Sequence, residues 1–366
     1  MAERGAAPLV SPTRRRALRL VSSFTSPLLP DDYLELVNPL WSTRELRGRI
    51  VRVQRETPEA VTVWIRPGWE WPGHEAGQYL RLGVAVDGIH HWRAYSLTSE
   101  PGHPDGLIAI TPKRVEHGKV SPFLNSRVRP GTVVRLGGVE GTFVLPDPLP
   151  ERLLFVSAGS GITPVASMLR ALARRGRLRN VVHVHCSRTR EGVIFAEDLE
   201  RLRREHGGYR LHLRLTAAHG RLDARELQAI CPDWREREAF LCGPAGLLQT
   251  LRERWHEENL LERLHTEHFQ PEGRVGEGER GCGGTIHLAR SGIEATSDGE
   301  QPILVAGEQA GARMPFGCRM GICHSCVGKL RSGRVRDLRT GRVHGQPGEM
   351  LRTCVNAPEG AVEIEL

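Results

Sequence analysis

The sequence predicts a multidomain protein: an antiparallel β-barrel, then an α/β domain with a parallel sheet, then a small α+β domain. Three observations support this prediction. Apolar and polar residues alternate between Val61 and Val86, as they do in half-buried strands. Apolar strands then alternate with helical segments from Leu153 to Cys242, as in βαβ units. Finally, the cysteine spacing C-x4-C-x2-C occurs within residues 318–326.

Length, composition and charge limit the class of protein. The 366 residues are 39% hydrophobic and 26% charged, which is ordinary for a globular protein of two or three domains. The net charge is +8, but the arginines are spread along the chain and accompany no nucleic-acid-binding motif. We therefore predict no nucleic-acid partner and expect nucleotide phosphates or an acidic protein instead. Eight cysteines are too few for a disulfide scaffold, and the spacing at 318–326, typical of a metal cluster, favours a reducing, cytoplasmic location instead.

Residues 1–44 are assigned to an N-terminal extension. Arg14-Arg15-Arg16 precedes apolar residues at helical spacing, which predicts a short basic amphipathic helix. This helix could pack on the protein itself or make a peripheral contact with the inner face of a membrane. The apolar stretch is too short and too polar to favour an export signal. No run of about 18 apolar residues occurs, so no membrane span is expected.

Residues 45–148 are assigned to the barrel. The strand candidates in this region are short, regularly spaced and free of helical runs, which predicts a small antiparallel barrel. These candidates are Val61–Ile65, Leu80–Val86, Leu107–Thr111 and Val133–Leu136.

The stretch Arg93–Ser99 contains residue types that a flavin nucleotide needs. A guanidinium can pair with the pyrophosphate, an aromatic ring can lie against the isoalloxazine, and a small hydroxyl can lie near its reactive nitrogen. The candidates in this stretch are Arg93, Tyr95, Ser96 and Thr98. A second group opens a predicted helix whose free N–H groups could hold phosphate oxygens. Its members are Gly118, Lys119, Val120 and Ser121.

The motifs RAYSLTS at 93–99 and GKVS at 118–121, with those further along the chain, resemble the ferredoxin–NADP reductase superfamily. The resemblance implies a six-stranded FAD-binding barrel. It also implies that Arg93 and residues 118–121 hold the pyrophosphate, and that Tyr95 and Ser96 lie at the flavin ring.

Residues 149–269 are assigned to an NAD(P)-binding domain. A buried-type strand at Leu153–Val156 runs into a glycine-rich turn and then a helix to about Arg174, an arrangement that lets a pyrophosphate approach the backbone closely. The turn reads G-x-G-x-x-P, which departs from the standard dinucleotide fingerprint but matches the pattern of the reductase family. Its cofactor-binding candidates are Gly159, Ser160, Gly161 and Thr163. Further strands are predicted at Val181–Cys186, Tyr209–Leu215 and Ala239–Cys242, with helices near Glu197–Arg204 and Ala224–Ile230.

The residues after the second strand of this domain indicate which pyridine nucleotide binds. An NAD site offers an acidic residue to the ribose, whereas an NADP site offers arginine to the 2′-phosphate. Ser187, Arg188 and Arg190 follow the strand here, which favours NADPH. Glu191 keeps NADH open as the less favoured alternative.

The family resemblance implies two more site elements. Cys242-Gly243-Pro244 would lie by the nicotinamide, and Phe269 would cover the flavin as an aromatic does in relatives. The alternatives are a plain buried thiol for Cys242 and a domain-boundary core residue for Phe269. With the two residues at the flavin ring, the candidate catalytic residues are Tyr95, Ser96, Cys242 and Phe269.

Residues 270–284 are rich in Gly, Glu and Arg and predict a flexible linker to a last domain at 285–366. The spacing in this domain is the plant-type pattern for a [2Fe–2S] cluster. The predicted ligands are Cys318, Cys323, Cys326 and Cys354. Zinc is the competing interpretation, but zinc sites usually pair two close couples of cysteines, and Cys354 has no near partner in the sequence. The domain resembles a plant-type ferredoxin of β-grasp fold.

Taken together, these patterns predict an NADPH-dependent oxidoreductase that passes electrons through FAD and a [2Fe–2S] cluster to a partner protein. The layout resembles the actinobacterial reductase partners of membrane fatty acyl-CoA desaturases. The alternatives are a reductase component for a Rieske oxygenase or cytochrome P450, and a redox-sensing protein without turnover. A sensor needs no hydride donor, so the complete nucleotide motifs argue against it.

Overall fold

The computed structural model describes residues 37–42, 44–116, 118–269, 281–316, 321 and 324–366. They form two compact units, one with a β-barrel and a parallel-sheet domain and one with the C-terminal domain. The predicted N-terminal helix and residues 270–280 of the predicted linker lie outside the described residues. Within the described ranges, no helix has both the length and the apolar character needed to cross a membrane.

The barrel is a six-stranded sheet with the strand order β4-β3-β6-β1-β2-β5. An antiparallel bridge from Leu97, just after β4, to Ile110 of β5 closes it. Its strands are β1 (Arg47–Thr57), β2 (Ala60–Pro67), β3 (Tyr79–Val86), β4 (Ile89–Ser96), β5 (Ile108–Ile110) and β6 (Val133–Glu140). Helix α1 (Val120–Ser126) follows β5, and a short 3-10 helix (Pro39–Trp41) precedes β1. The barrel prediction is therefore confirmed.

Strand β1 is the longest strand of the barrel, and the sequence analysis did not predict it. Its sequence RGRIVRVQRET contains four arginines and few apolar residues, so no alternation of apolar residues stands out. It forms a hairpin with β2 through pairs that run from Gly48 with Pro67 to Thr57 with Ala60. Partner strands on both sides, rather than its own pattern, make this segment a strand.

The second domain has a five-stranded sheet with the order β11-β10-β7-β8-β9, in which every neighbouring pair is parallel. The strands are β7 (Leu153–Ala158), β8 (Val181–Ser187), β9 (Tyr209–Leu215), β10 (Glu238–Cys242) and β11 (Leu264–Glu267). The helices are α2 (Ile162–Arg174), α3 (Ala196–Glu205), α4 (Thr216–His219), α5 (Ala224–Ile230) and α6 (Ala245–Glu257). Both β7 and β8 are buried almost throughout, as expected for a parallel sheet covered on two faces. The predicted parallel sheet is confirmed.

In its described residues, the C-terminal domain has mixed β-structure and one helix. Its five-stranded sheet has the order β13-β12-β19-β14-β17, and a small sheet has the order β16-β15-β18. The strands are β12 (Gly284–Leu288), β13 (Ile293–Ser297), β14 (Val327–Ser332), β15 (Val335–Asp337), β16 (Val343–His344), β17 (Met350–Arg352), β18 (Asn356–Pro358) and β19 (Val362–Glu365). Helix α7 (Ile303–Gln309) contributes Ile303, Leu304 and Ala306 to the core.

The boundary of this domain differs from the predicted linker. Gly283 bridges to Glu359, and β12 already begins at Gly284. The backbone N–H of Cys282 also lies within hydrogen-bonding distance of the Glu359 carboxylate. Gly283 and Gly284 therefore belong to the C-terminal sheet and not to a linker.

A buried arginine joins the amino ends of three strands in the parallel sheet. Arg237 is 2% exposed and directly precedes β10. Its guanidinium donates to the carbonyl of Leu153 at 3.1 Å, to the carbonyl and side chain of Asn180, and to both carboxylate oxygens of Asp233 at 2.7 and 2.9 Å. All five donors of the guanidinium are satisfied, so this charge is buried without an unpaired group.

We expect Arg237→Met to lower the free energy of unfolding of this domain by roughly 3 kcal/mol, because Asp233 and two carbonyl oxygens lose their donor. Urea unfolding followed by the fluorescence of Trp234 and Trp255, both buried in this domain, measures the change. Arg252→Met, at an exposed position of α6, is the matched control. Equal losses of stability in the two variants would contradict a stabilising role for the buried hydrogen bonds of Arg237.

The contact between Arg237 and Asp233 predicts that the stability of the fold depends on pH. Hydrogen bonds from Arg237 are the main reason that the pKa of Asp233 falls from its ordinary value of 3.8 to about 2. A lowered carboxyl pKa stabilises the folded state above its unfolded value and loses that effect as the pH falls through the folded value. The stability difference between the native protein and Arg237→Met should therefore shrink between about pH 4 and pH 2.

Candidate redox cofactor sites

The predicted flavin residues lie at the end of strand β4 and the segment that follows it. Tyr95 is half-buried and packs against the barrel core, while Ser96 is buried. Arg93 is half-buried and donates to the carbonyl of its neighbour Trp92 at 2.7 Å. The Thr98 side chain is fully buried, and its hydroxyl lies 3.2 Å from that of Thr111 in the barrel interior. Thr98 is thus more deeply buried than the other three, and its predicted role in cofactor binding stays a prediction.

The predicted phosphate-binding turn precedes helix α1. Gly118 donates its N–H to the carbonyl of Val115 at 3.0 Å, and the Ser121 hydroxyl accepts the Val115 N–H at 3.1 Å. Lys119 occupies the N-cap position and Val120 the first position of α1, and no side chain within the described part of the chain caps this helix. The hydroxyl hydrogen of Ser121 and the first backbone N–H groups of α1 are the donors that the turn offers to a phosphate.

The glycine-rich turn of the second domain lies in contact with the motif Cys242-Gly243-Pro244. Gly159 has a φ of +54°, and Gly159–Gly161 form a single 3-10 turn between β7 and α2. A Cβ atom on Gly161 would lie 2.1 Å from the carbonyl oxygen of Cys242, so only glycine fits there. The Thr163 hydroxyl donates to the carbonyl of Ser160 at 2.9 Å and fixes the turn. Two predicted motifs that are distant in sequence are thereby in direct contact.

A buried hydrogen-bonded network joins the three neighbouring strands β7, β8 and β9. The Ser157 hydroxyl lies 2.8 Å from His183 Nε2 and 2.8 Å from His185 Nδ1, and His183 Nδ1 lies 2.7 Å from the Tyr209 hydroxyl. Burial lowers the pKa of His183 well below its ordinary value and that of His185 to about 4. Both imidazoles are therefore neutral near pH 7 and act as hydrogen-bonding groups that connect β7, β8 and β9.

Cys242 and Glu267 are paired on the adjacent parallel strands β10 and β11. Cys242 is fully buried, and burial raises the pKa of its thiol well above the ordinary value, so it stays protonated. Burial also raises the pKa of Glu267 to about 7. Gly243 follows, and Pro244 is the N-cap residue of α6. The strand end therefore carries a neutral thiol beside a carboxyl group that titrates near neutral pH.

The predicted 2′-phosphate residues follow β8. Ser187 is buried at the strand end, whereas Arg188 and Arg190 are exposed. The Arg188 carbonyl accepts the Ala217 N–H at 3.1 Å, which fixes the backbone and leaves the guanidinium in solvent. Hydrogen bonds from its own backbone N–H and from Thr189 lower the pKa of Glu191, so its carboxylate is ionised beside the arginines.

The structure describes two of the four predicted cluster ligands and brings them together. Cys326 and Cys354 are 1% and 2% exposed, and their Sγ atoms lie 3.1 Å apart, too far for a disulfide bond. The Thr353 N–H and hydroxyl both donate to the Cys326 carbonyl, at 3.0 and 2.9 Å. Cys318 and Cys323 lie outside the described residues.

Hydrogen bonds around Gly321 suit a thiolate ligand. The Gly321 N–H lies 3.2 Å from the Cys354 Sγ, and Arg352 donates to the Gly321 carbonyl at 2.8 Å. Amide donors of this kind stabilise a metal-bound thiolate and tune the potential of a cluster. Two buried sulfurs with such a donor fit the predicted metal centre.

Phe269 lies two residues beyond β11 and is half-buried. Its proposed role over the flavin stays a prediction.

Some residues near these sites were not predicted from the sequence. Glu267 belongs to the motif Glu267-His268-Phe269, whose position at the domain end was the only signal for it. Arg352 precedes Cys354 by two positions, and Arg170, which donates to the Thr98 carbonyl, lies within the apolar sequence of α2. Neither arginine is marked by a periodicity or a motif.

Comparison with known proteins supports this arrangement in the same order along the chain. Residues 72–145 match the model of oxidoreductase FAD-binding domains, and residues 155–253 match that of oxidoreductase NAD-binding domains. Residues 286–359 match the model of 2Fe–2S iron–sulfur cluster binding domains. These domain-family matches confirm the predicted FAD, pyridine nucleotide and [2Fe–2S] cofactors.

Full-length relatives extend these matches. An NADPH oxidoreductase of Mycobacterium tuberculosis is 47% identical over 354 residues, which cover 96% of this chain and 92% of that protein. A glycine betaine monooxygenase reductase subunit of Pseudomonas aeruginosa is 28% identical over 318 residues, covering 79% of this chain and 86% of that protein. The solved structure of phthalate dioxygenase reductase has a similar fold, with a TM-score of 0.58 at 23% identity over 88% of this chain and 98% of that one. The chain therefore belongs to the family of NAD(P)H-dependent oxidoreductases that combine FAD-binding, NAD-binding and [2Fe–2S]-binding domains in one polypeptide.

Proposed function

We propose that this reductase takes its electrons from NADPH and delivers them to a membrane fatty acyl-CoA desaturase. The observation that carries the NADPH preference is the pair of exposed guanidinium groups, Arg188 and Arg190, directly after β8. At this position of an α/β nucleotide domain, arginine pairs with a 2′-phosphate, whereas an acidic residue binds the ribose of NAD. The Mycobacterium tuberculosis relative, described as an NADPH oxidoreductase, agrees with this choice.

When bound, the cofactors supply the redox chemistry: hydride passes from the nicotinamide to FAD, and single electrons pass on to the cluster. The protein binds and orients them. Arg93 and the start of α1 would hold the FAD pyrophosphate, with Tyr95 and Ser96 at its ring. The glycine turn at 159–161 would let the nicotinamide nucleotide approach the backbone beside Cys242.

The neutral thiol of Cys242 suits a position beside the nicotinamide. Because burial keeps this thiol protonated, no thiolate nucleophile would lie beside the electrophilic oxidised nicotinamide. Glu267 is the nearest titratable carboxyl on the adjacent strand, and its raised pKa keeps part of its population neutral near pH 7.

The choice of a desaturase rests on the layout of the chain and on the basic segment at Arg14-Arg15-Arg16, which lies outside the described residues. A basic amphipathic helix favours contact with the inner face of a membrane that holds the partner. The second candidate is a reductase component of a Rieske oxygenase or cytochrome P450. The monooxygenase reductase subunit among the relatives favours this second candidate.

Reconstitution with membranes tests the partner. We expect the full chain, NADPH, dioxygen and source membranes to convert stearoyl-CoA to the unsaturated product, with dioxygen reduced to two waters by two electrons from NADPH and two from the acyl chain. A variant without residues 1–36 should lose much of this activity and keep full NADPH–ferricyanide activity. Turnover with a soluble oxygenase component, and none with the membranes, would exclude the desaturase.

Arg188→Ala tests the nucleotide preference. We expect the KM for NADPH to rise by roughly tenfold to hundredfold, because a charge-assisted phosphate contact contributes roughly 1.5–3 kcal/mol. The KM for NADH should change little, since NADH has no 2′-phosphate. Arg252→Ala, at an exposed position of α6, controls for a general loss of positive charge. Equal effects of Arg188→Ala on both nucleotides would refute the NADPH assignment.

Cys354→Ser tests whether electrons leave the protein through the [2Fe–2S] cluster. The electron paramagnetic resonance signal of the reduced cluster and cytochrome c reduction should both be lost, because one of four thiolates is missing. NADPH–ferricyanide activity should survive, since the flavin can reduce ferricyanide directly. Cys282→Ser, an exposed cysteine of the same domain, should leave both activities unchanged. Loss of both activities in Cys354→Ser would contradict separate flavin and cluster domains.

A further inference from the structure

The predicted ligand Cys354 lies in a tight turn that hydrogen bonds close. The Arg352 carbonyl accepts the Val355 N–H at 3.1 Å, so residues 352–355 form a β-turn with Cys354 at its third position. The side chain of Asn356, which is 2% exposed, donates to the same carbonyl at 3.0 Å. The backbone on both sides of the predicted ligand is therefore fixed by contacts with the Arg352 carbonyl.

A further side chain holds the amide of Asn356 in its orientation. The amide nitrogen is the donor to the Arg352 carbonyl, and the amide oxygen lies 3.0 Å from Nε2 of His344 on β16. Nδ1 of His344 lies 2.8 Å from the carboxylate of Glu349, which directly precedes β17. Both ends of the buried amide thus have partners, and the turn is connected to β16 and to the chain before β17.

Gly321 contacts this turn at two points. Its N–H lies 3.2 Å from the Cys354 Sγ, and its carbonyl accepts the Arg352 guanidinium at 2.8 Å. Its φ is +75°, and a Cβ atom on it would lie 2.8 Å from Cγ2 of Val355. Only glycine can adopt this left-handed backbone so close to the turn. The Arg352 guanidinium therefore holds the residue whose N–H lies at the Cys354 sulfur.

The charge of Arg352 is less balanced than that of its neighbour Arg339. The Arg339 guanidinium pairs with the Asp337 carboxylate at 2.6 Å. Among the described residues, Arg352 forms no ion pair of this kind, although Asp337 also feels its charge. Net charge and hydrogen bonds to the sulfurs are two of the factors that set the potential of an iron–sulfur cluster. Arg352 affects both of them.

We propose that Arg352 is a positioning residue that raises the reduction potential of the [2Fe–2S] cluster. Its guanidinium holds Gly321 so that the N–H of this residue donates to the Cys354 sulfur, and its positive charge lies beside the site that gains an electron. Reduction adds one electron and needs no proton. The hydrogen bond and the positive charge therefore stabilise the reduced form more than the oxidised form. The inference rests on Cys354 as a ligand of the cluster.

A redox titration of the full chain loaded with FAD and cluster tests this role, with electron paramagnetic resonance as the measure of the reduced cluster. We expect Arg352→Met to shift the equilibrium about tenfold toward the oxidised cluster, which is a fall of about 59 mV in the midpoint potential of a one-electron couple. Arg352→Lys keeps the charge and can donate to the Gly321 carbonyl, so it should restore most of the potential.

A second measurement separates positioning from charge alone. After exchange into deuterated water, electron–nuclear double resonance of the reduced cluster reports the coupling of amide deuterons near its sulfurs. This coupling should weaken in Arg352→Met, because Gly321 is no longer held, and should persist in Arg352→Lys. A lower midpoint potential with an unchanged coupling in Arg352→Met would overturn the positioning role.

Arg290→Met is the matched control, because it removes one positive charge from the same domain at a side chain that is 72% exposed. It should keep the native midpoint potential. An unchanged midpoint in Arg352→Met, or an equal fall in both variants, would overturn the proposal. If Arg352→Met does not retain the cluster, Arg352→Gln replaces it. Because glutamine is uncharged, a shift of at least roughly threefold toward the oxidised cluster is expected, and an unchanged midpoint would again overturn the proposal.

A different result would refute the ligand assignment instead. If Cys354→Ser keeps the full signal of the reduced cluster, Cys354 is not a ligand, and the role of Arg352 fails with it. If Cys354→Ser loses the signal but Arg352→Met keeps the native midpoint potential, only the role of Arg352 fails.

Discussion

The contact between Gly161 and the carbonyl of Cys242 determines how closely the turns after β7 and β10 approach each other in the α/β domain. Strands β7 and β10 are adjacent and parallel, so their carboxyl ends lie side by side. Each strand is followed by a turn, and the two turns meet at a separation that excludes even a methyl group on Gly161. The glycine turn and the end of β10 can approach this closely only because the backbone at residue 161 has no side chain.

Two arginines with different surroundings stabilise this domain. Arg237 is buried within the domain, and each of its donors has an acceptor, so it joins the amino ends of the central strands. Arg170 is partly exposed and connects two helices of the domain to the barrel. The first arrangement stabilises one domain, whereas the second joins this domain to the barrel.

The C-terminal domain shows how a metal centre is built from distant segments. Thr353 donates twice to the Cys326 carbonyl, and this pairing brings the last predicted ligand, Cys354, beside the third. Gly321 then directs its N–H at the Cys354 sulfur and its carbonyl at Arg352. The protein contributes positioning and local charge, which are the means by which a polypeptide tunes an iron–sulfur cluster.

The sequence by itself determined the order and class of the domains, the glycine turn, the arginines after β8 and the cysteine spacing, because each is encoded by a local periodicity or motif. It did not reveal β1, whose arginine-rich sequence lacks an apolar alternation and becomes a strand only between two partners. Nor did it reveal the contacts of Gly161 with Cys242, of Cys326 with Cys354, or of Arg170 with Asp198. Only the tertiary structure decided these contacts, since each joins residues far apart in the chain whose proximity depends on strand order and domain packing rather than on any pattern in the sequence.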